Sequence, residues 1–141
     1  WLRSKAGERV TGLYRSVLEW KASLQDCVLL VQVGDFFEAW GVDAVMLVQW
    51  CGLKSMARKP RAGFPFTAAC LQQVLNSLTD RDLSAAVFVQ TGQPGRPNQP
   101  RELRQVVTPG MPTYLYTHEL NGSEAETSDF SEGRPYIGLR L

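Results

Sequence analysis

From Thr11 to Leu24 the apolar residues Leu13, Tyr14, Val17, Leu18, Trp20 and Leu24 return at helical spacing, with Arg15, Glu19 and Lys21 between them, which predicts an amphipathic helix. Cys27–Val33 (CVLLVQV) is a continuous β-rich apolar run closed by Gly34, the pattern of a buried central strand. A second helical period is predicted from Asp35, placing Phe37, Trp40, Ala44, Leu47, Val48 and Cys51 on one stripe. Lys54–Arg61 is basic and contains Pro60. The Gly63-Phe64-Pro65 that follows reads as an irregular exposed turn. A third helix is expected from about Thr67 to Asp80, through Ala68, Leu71, Val74, Leu75 and Leu78. Ser84–Gln90 (SAAVFVQ) reads as a buried strand. Glu102–Thr108 is its neighbour across the Gly/Pro/Asn-rich connection Thr91–Pro100. A short aromatic strand at Tyr114–Glu119, an acidic Ser/Glu/Gly stretch at Asn121–Gly133 and a last strand at Tyr136–Leu141 complete the pattern.

Helix, strand, helix, helix, strand, strand is an α/β order in which a small mixed sheet is covered by helices. At 141 residues and 15.7 kDa the chain has room for one compact domain or for one domain and a piece of another, with the boundary expected near residue 110. Charge divides at the same place. Residues 1–110 carry 13 Lys and Arg against 9 Asp and Glu, whereas residues 111–141 carry 2 against 5. A net charge of +1 excludes a polycation that binds nucleic acid by bulk charge, so any DNA contact is local. Apolar runs fall short of the ~18 residues of a membrane span. Cys27, Cys51 and Cys70 lack CxxC spacing and read as buried free thiols. His118 is the sole histidine, which removes the usual parts of a metal site or a hydrolytic triad and leaves it a structural or surface role. The chain opens at Trp1 with neither an initiator methionine nor a secretory signal, as an excised portion of a longer protein would.

Chemistry concentrates at Gly34-Asp35-Phe36-Phe37-Glu38, where two readings compete. In one, Asp35 caps the second helix, Glu38 completes a capping-box-like pair and both phenylalanines are core. In the other, Phe36 is turned ~100° from the apolar stripe, towards Ala39, Asp43 and Met46, and has no core to enter. An exposed ring with a carboxylate two residues on, and Arg58, Lys59 and Arg61 in a nearby loop, suits a wedge into a nucleic-acid groove with cations on phosphate. The basic group on its own also reads as a solvated loop.

LLVQVGDFFEAWGVDA, PRAGFP, the helix and strand after it, and VVTPG resemble, in that order and spacing, the N-terminal mismatch-recognition domain of the MutS DNA mismatch-repair family. The resemblance covers about residues 11–110. Residues 111–141 look like the linker and first strand of that family's connector domain. GDFFEAWGVDA with PRAGFP is most similar to organellar MutS homologues of plants and algae, which implies a chloroplast or mitochondrion. The family's Phe-x-Glu motif matches Phe36-Phe37-Glu38. The resemblance therefore implies that Phe36 is the intercalating wedge, Glu38 hydrogen-bonds the mispaired base and Phe37 is core. Gly63-Phe64-Pro65 matches a turn near the DNA, although Thr67 stands where many bacterial members have histidine. The implied site is thus Phe36, Glu38, Arg58, Lys59, Arg61, Gly63, Phe64 and Pro65. The implied partners are double-stranded DNA with mismatches or small loops and a second MutS-type subunit. ATP and magnesium belong to a DNA-dependent ATPase elsewhere in the parent protein, and no catalysis, cofactor or metal is expected in this segment. A degenerate MutS-like domain kept as a protein-interaction module is the alternative. Tyr136-Ile137-Gly138, half of a GIY-YIG nuclease signature, reads as an ordinary strand.

Overall fold

The computed structural model describes residues 12–54, 61–92 and 99–121. In chain order the elements are α1 (Gly12–Ser23), β1 (Cys27–Val33), β2 (Phe36–Trp40), α2 (Val42–Cys51), β3 (Arg61–Pro65), α3 (Ala68–Thr79), β4 (Ser84–Gln90) and β5 (Arg101–Val107). They form a five-stranded mixed sheet in the order β3-β2-β1-β4-β5. Only β1 and β4 run parallel; the other neighbours are antiparallel.

The central pair earns its place by composition. Leu29, Leu30 and Val31 of β1, and Ala85, Ala86 and Val87 of β4, are at most 1 % exposed, as expected of strands buried on both faces. On one face Val28, Leu30, Phe37, Ala39, Phe64, Ala85 and Val87 pack against Ala44 and Leu47 of α2 and Leu71, Val74, Leu75 and Leu78 of α3. On the other, Cys27, Leu29, Val31, Ala86 and Phe88 meet Val17, Leu13 and Trp20 of α1, with Trp20 stacked on Phe88 at 4.2 Å between ring centroids. The third helix starts as expected, with the Thr67 hydroxyl accepting the Cys70 amide as N-cap.

Three expectations are corrected. The helical period expected from Asp35 is a strand followed by a helix. Gly34, at φ +62°, forms a two-residue hairpin with Asp35, and Val33 pairs with Phe36 across it. Phe-Phe-Glu-Ala-Trp, rich in β-formers, then pairs with β1 and β3 at once. Gly41, at φ +65°, ends the strand and caps α2. Val48, placed on the inner stripe, is 38 % exposed as a result. The turn expected at Gly63-Phe64-Pro65 is the end of β3: Phe64 faces Phe37 across the ladder, and Pro65 is tolerated because β3 is an edge strand. The aromatic strand expected at Tyr114–Glu119 is irregular backbone ending in a 3-10 turn, Thr117–Glu119. Its backbone is satisfied by side chains instead of a ladder. The Tyr114 amide donates to Gln72 Oε1, the Leu115 amide to Gln105 Oε1, and Gln105 Nε2 donates to the Thr113 carbonyl. The acidic stretch beyond residue 121 and the strand expected at 136–141 lie outside the described residues.

Candidate nucleic-acid interface

Strand geometry decides how the Phe-x-Glu residues relate to each other. In a helix, residues two apart are rotated by ~200° and point away from each other; in a strand they share a face, about 6.6 Å apart. Phe36, Glu38 and Trp40 therefore lie on one face of β2, while Phe37 and Ala39 point into the core beneath α2 and α3. Phe37 is fully buried, with its ring 5.5 Å from Phe64 and 4.9 Å from Phe66. Phe36, first residue of the strand and next to the turn, is 48 % exposed. The capping role considered for Asp35 and Glu38 is corrected by the same observation. Asp35 sits in the hairpin turn, where its carbonyl accepts the Phe66 amide at 2.9 Å, and Glu38 lies mid-strand, before the Gly41 cap of α2 instead of in its first turn.

Glu38 is 6 % exposed. Opposite it in β3 stands Gly63, and Arg61, the diagonal neighbour, brings its Nε to 3.3 Å from Glu38 Oε1. This contact is an ion pair without hydrogen-bond alignment, since Arg61 Nε has no hydrogen-bond partner. Burial pushes the Glu38 carboxyl above the usual carboxylate range, and the positive fields of Arg61 and Arg101 oppose that rise. Arg101, at the start of β5, donates Nε to the Gln32 carbonyl at 2.7 Å and Nη1 to the Gln99 carbonyl at 2.9 Å. An exposed ring thus stands beside a shielded acid that is paired with Arg61 and feels the positive field of Arg101.

Of the residues the sequence nominates, Phe36, Glu38, Arg61, Gly63 and Pro65 come together on this face of β2 and β3. Phe64 does not join them: its side chain is 3 % exposed and belongs to the core. Arg58 and Lys59 lie outside the described residues. Sequence reasoning missed Arg101, because a single cation at the head of a strand carries no periodic signal and acts on Glu38 by its field alone, through the sheet order. It also passed over the Gly-Asp pair between two β-rich runs, which is itself a hairpin signal. Asp43, expected beside Phe36, instead anchors the opposite end of the sheet. It accepts the Leu29 amide at 3.0 Å and the Lys21 ammonium at 2.9 Å. Among the described residues, no group of three or more His, Cys, Asp or Glu could hold a metal ion.

Comparison with known proteins agrees with this arrangement. The family model "MutS domain I" matches residues 11–115. The mitochondrial DNA mismatch repair protein MSH1 of Arabidopsis thaliana is 32 % identical over 130 residues, 87 % of this chain and 11 % of that protein. The DNA mismatch repair protein MutS of Clostridium kluyveri is 29 % identical over 126 residues, covering 82 % and 14 %. That of Thermotoga maritima is 32 % identical over 106 residues, covering 72 % and 13 %. The chain spans only 11 to 14 % of the length of these relatives. A five-stranded mixed sheet with three helices, a Gly-Asp hairpin presenting Phe36 and Glu38 on one face, and a family match across that whole unit lead to one assignment: the chain belongs to the MutS domain I family.

Proposed function

We propose that this domain recognises mispaired bases and small loops in double-stranded DNA for mismatch repair, by inserting Phe36 beside the faulty pair and hydrogen-bonding the mispaired base through Glu38. The observation that carries the reading is the shared face of Phe36 and Glu38 on β2, with Phe36 exposed at the hairpin end. Wedging a ring into a base step costs a few kcal/mol of unstacking, least where pairing is already faulty. Stacking returns about 1–3 kcal/mol, so deformability is read without base-sequence contacts.

Glu38 adds a polar reading. Ionised, it can only accept a hydrogen bond; protonated, it can donate one to a base acceptor. Its burial already favours the protonated form, and DNA phosphates favour it further. Those phosphates also compete for Arg61, drawing it from the carboxyl and freeing Glu38 to meet the base. Arg58 and Lys59 would add phosphate contacts. The domain is read as the recognition part of a longer MutS-type protein that acts with a second subunit. ATP hydrolysis with magnesium is placed elsewhere in that protein. The name of the Arabidopsis relative supports an organellar location. Val42, Val45 and Val48, exposed at 58 %, 52 % and 38 % along α2, support a second reading in which the domain also contacts protein.

The test is titration of the full-length protein with a duplex carrying one mismatch or a one-base loop and with its fully paired counterpart, at several salt concentrations. The reading expects both affinities to fall with salt while a preference of about tenfold for the faulty duplex persists. Equal affinity at every salt concentration contradicts it.

A further inference from the structure

A wedge discriminates only if its mount yields less than the base step it enters. The Gly34-Asp35 turn has two residues and one of them is glycine, so by itself it is a soft mount. Side chains of β1 and of the strands beyond it brace it. The Gly34 amide donates to Gln90 Oε1 at 3.0 Å, from the end of β4, 56 residues away. The Gln90 amide in turn donates to Gln32 Oε1 at 2.8 Å, and Gln32 Nε2 donates to the Gly34 carbonyl at 3.1 Å. Both backbone polar groups of Gly34 are thereby held by two glutamines that also hold each other. Arg101 closes the frame from β5 through the Gln32 carbonyl, and the Phe66 amide holds the Asp35 carbonyl from the other side. Neither glutamine is needed to fill the core: Gln32 and Gln90 are half-buried at the sheet end, and Gly34 is exposed.

We infer that Gln90 and Gln32 are positioning residues for recognition, a glutamine clamp that fixes the hairpin turn so that Phe36 enters the duplex without the turn giving way. This rests on the reading of Phe36 as the wedge. Preorganisation of this kind raises affinity for the deformable site by removing the cost of ordering the turn in the complex. The clamp touches no DNA in this account and acts only through Phe36. It joins the ends of β1 and β4, so its loss should loosen the turn and leave the rest of the sheet intact.

The experiment compares Gln90→Ala, Gln32→Ala and Gln90→Glu with the unaltered full-length protein. Three quantities are read: hydrogen exchange at the Gly34 amide, the melting temperature, and the ratio of affinities for a mismatched and a paired duplex at one fixed salt concentration. For Gln90→Ala the clamp predicts exchange at Gly34 about tenfold faster, a ratio lowered about three- to tenfold through weaker mismatch binding, and little change in melting temperature. Gln32→Ala should lower the ratio similarly. Gln90→Glu keeps the acceptor oxygen, so slow exchange and the ratio should both return, even if its added charge weakens both duplexes alike. Unchanged exchange in Gln90→Ala overturns the clamp. Faster exchange with an unchanged ratio overturns its role in recognition. Equal binding of both duplexes by the unaltered protein would instead refute the functional reading, while the exchange measurement would still decide whether the turn is clamped.

Discussion

Strand β2 has two faces that obey different rules. Towards α2 and α3, Phe37 and Ala39 are completely buried among aliphatic and aromatic neighbours. Towards α1 the same five residues present an exposed ring, a shielded carboxyl and a half-buried Trp40, with arginines at the flanks. The first face is what stability demands: apolar, close-packed and dry. The second violates it twice, with a large exposed apolar side chain and a buried acid whose ion pair is imperfectly aligned. Such departures from core rules concentrate where a protein binds something.

The comparison is broken most severely by exchanging the roles of the two phenylalanines. Phe37→Ala should cost about 3–5 kcal/mol of unfolding free energy, because the cavity opens between Phe64, Phe66 and the helices. Phe36→Ala should stay within about 1 kcal/mol. Chemical denaturation of both variants checks this, and equal losses would erase the distinction between the faces. Asp43→Ala, which strands the buried Leu29 amide and unpairs Lys21, should cost about 2–4 kcal/mol without altering mismatch preference. A lost preference at normal stability would instead connect Asp43 to recognition.

Much of this division is legible in the sequence, and its mechanism is partly not. The apolar runs of β1 and β4 and the capped, amphipathic α3 follow from local pattern, since their burial is continuous or periodic. Phe36 exposed and Phe37 buried was expected from helical phase. The outcome stands for a different reason: alternation in a strand separates adjacent residues even more completely than ~100° of helical rotation does. Trp40, Ala44 and Leu47 mimic a helical period because a strand ending at Gly41 runs directly into α2, and a window spanning that glycine averages two periodicities. Gly63-Phe64-Pro65 looked like a turn because glycine and proline punctuate local structure. Pairing with β2, a long-range fact, made it an edge strand. Arg101 and Gln90 were invisible for the same reason: only the order β2-β1-β4-β5 brings them to the hairpin.

Smaller effects sharpen the picture of the wet face. The Glu38 carboxyl is raised above the ordinary value by burial, so ionising it in the folded protein is disfavoured. The stability linked to its proton is complete below the ordinary carboxylate range and is lost as pH rises through the raised value. The fraction able to donate a hydrogen bond to a base likewise grows on acidification. On acidification the unaltered protein should therefore approach the behaviour of Glu38→Gln, its affinity rising most on paired DNA and its mismatch preference shrinking, while Glu38→Gln stays flat with pH. In Glu38→Gln affinity should hold or rise, most on paired DNA, so that the preference shrinks. Parallel pH profiles for the two proteins would remove Glu38 from the recognition step. Smallest of all, Arg61→Gln should lower the salt slope of binding by about one on every duplex tested. An unchanged slope would confine Arg61 to its pair with Glu38.

The central claim, that β2 keeps recognition on one face and stability on the other, is tested most directly by measuring Phe36→Ala in the full-length protein for melting temperature and for its affinity ratio between mismatched and paired duplexes. The account predicts an almost unchanged melting temperature, near-constant affinity for paired DNA and loss of most of the mismatch preference. A retained preference, or an equal drop on both duplexes, would contradict it.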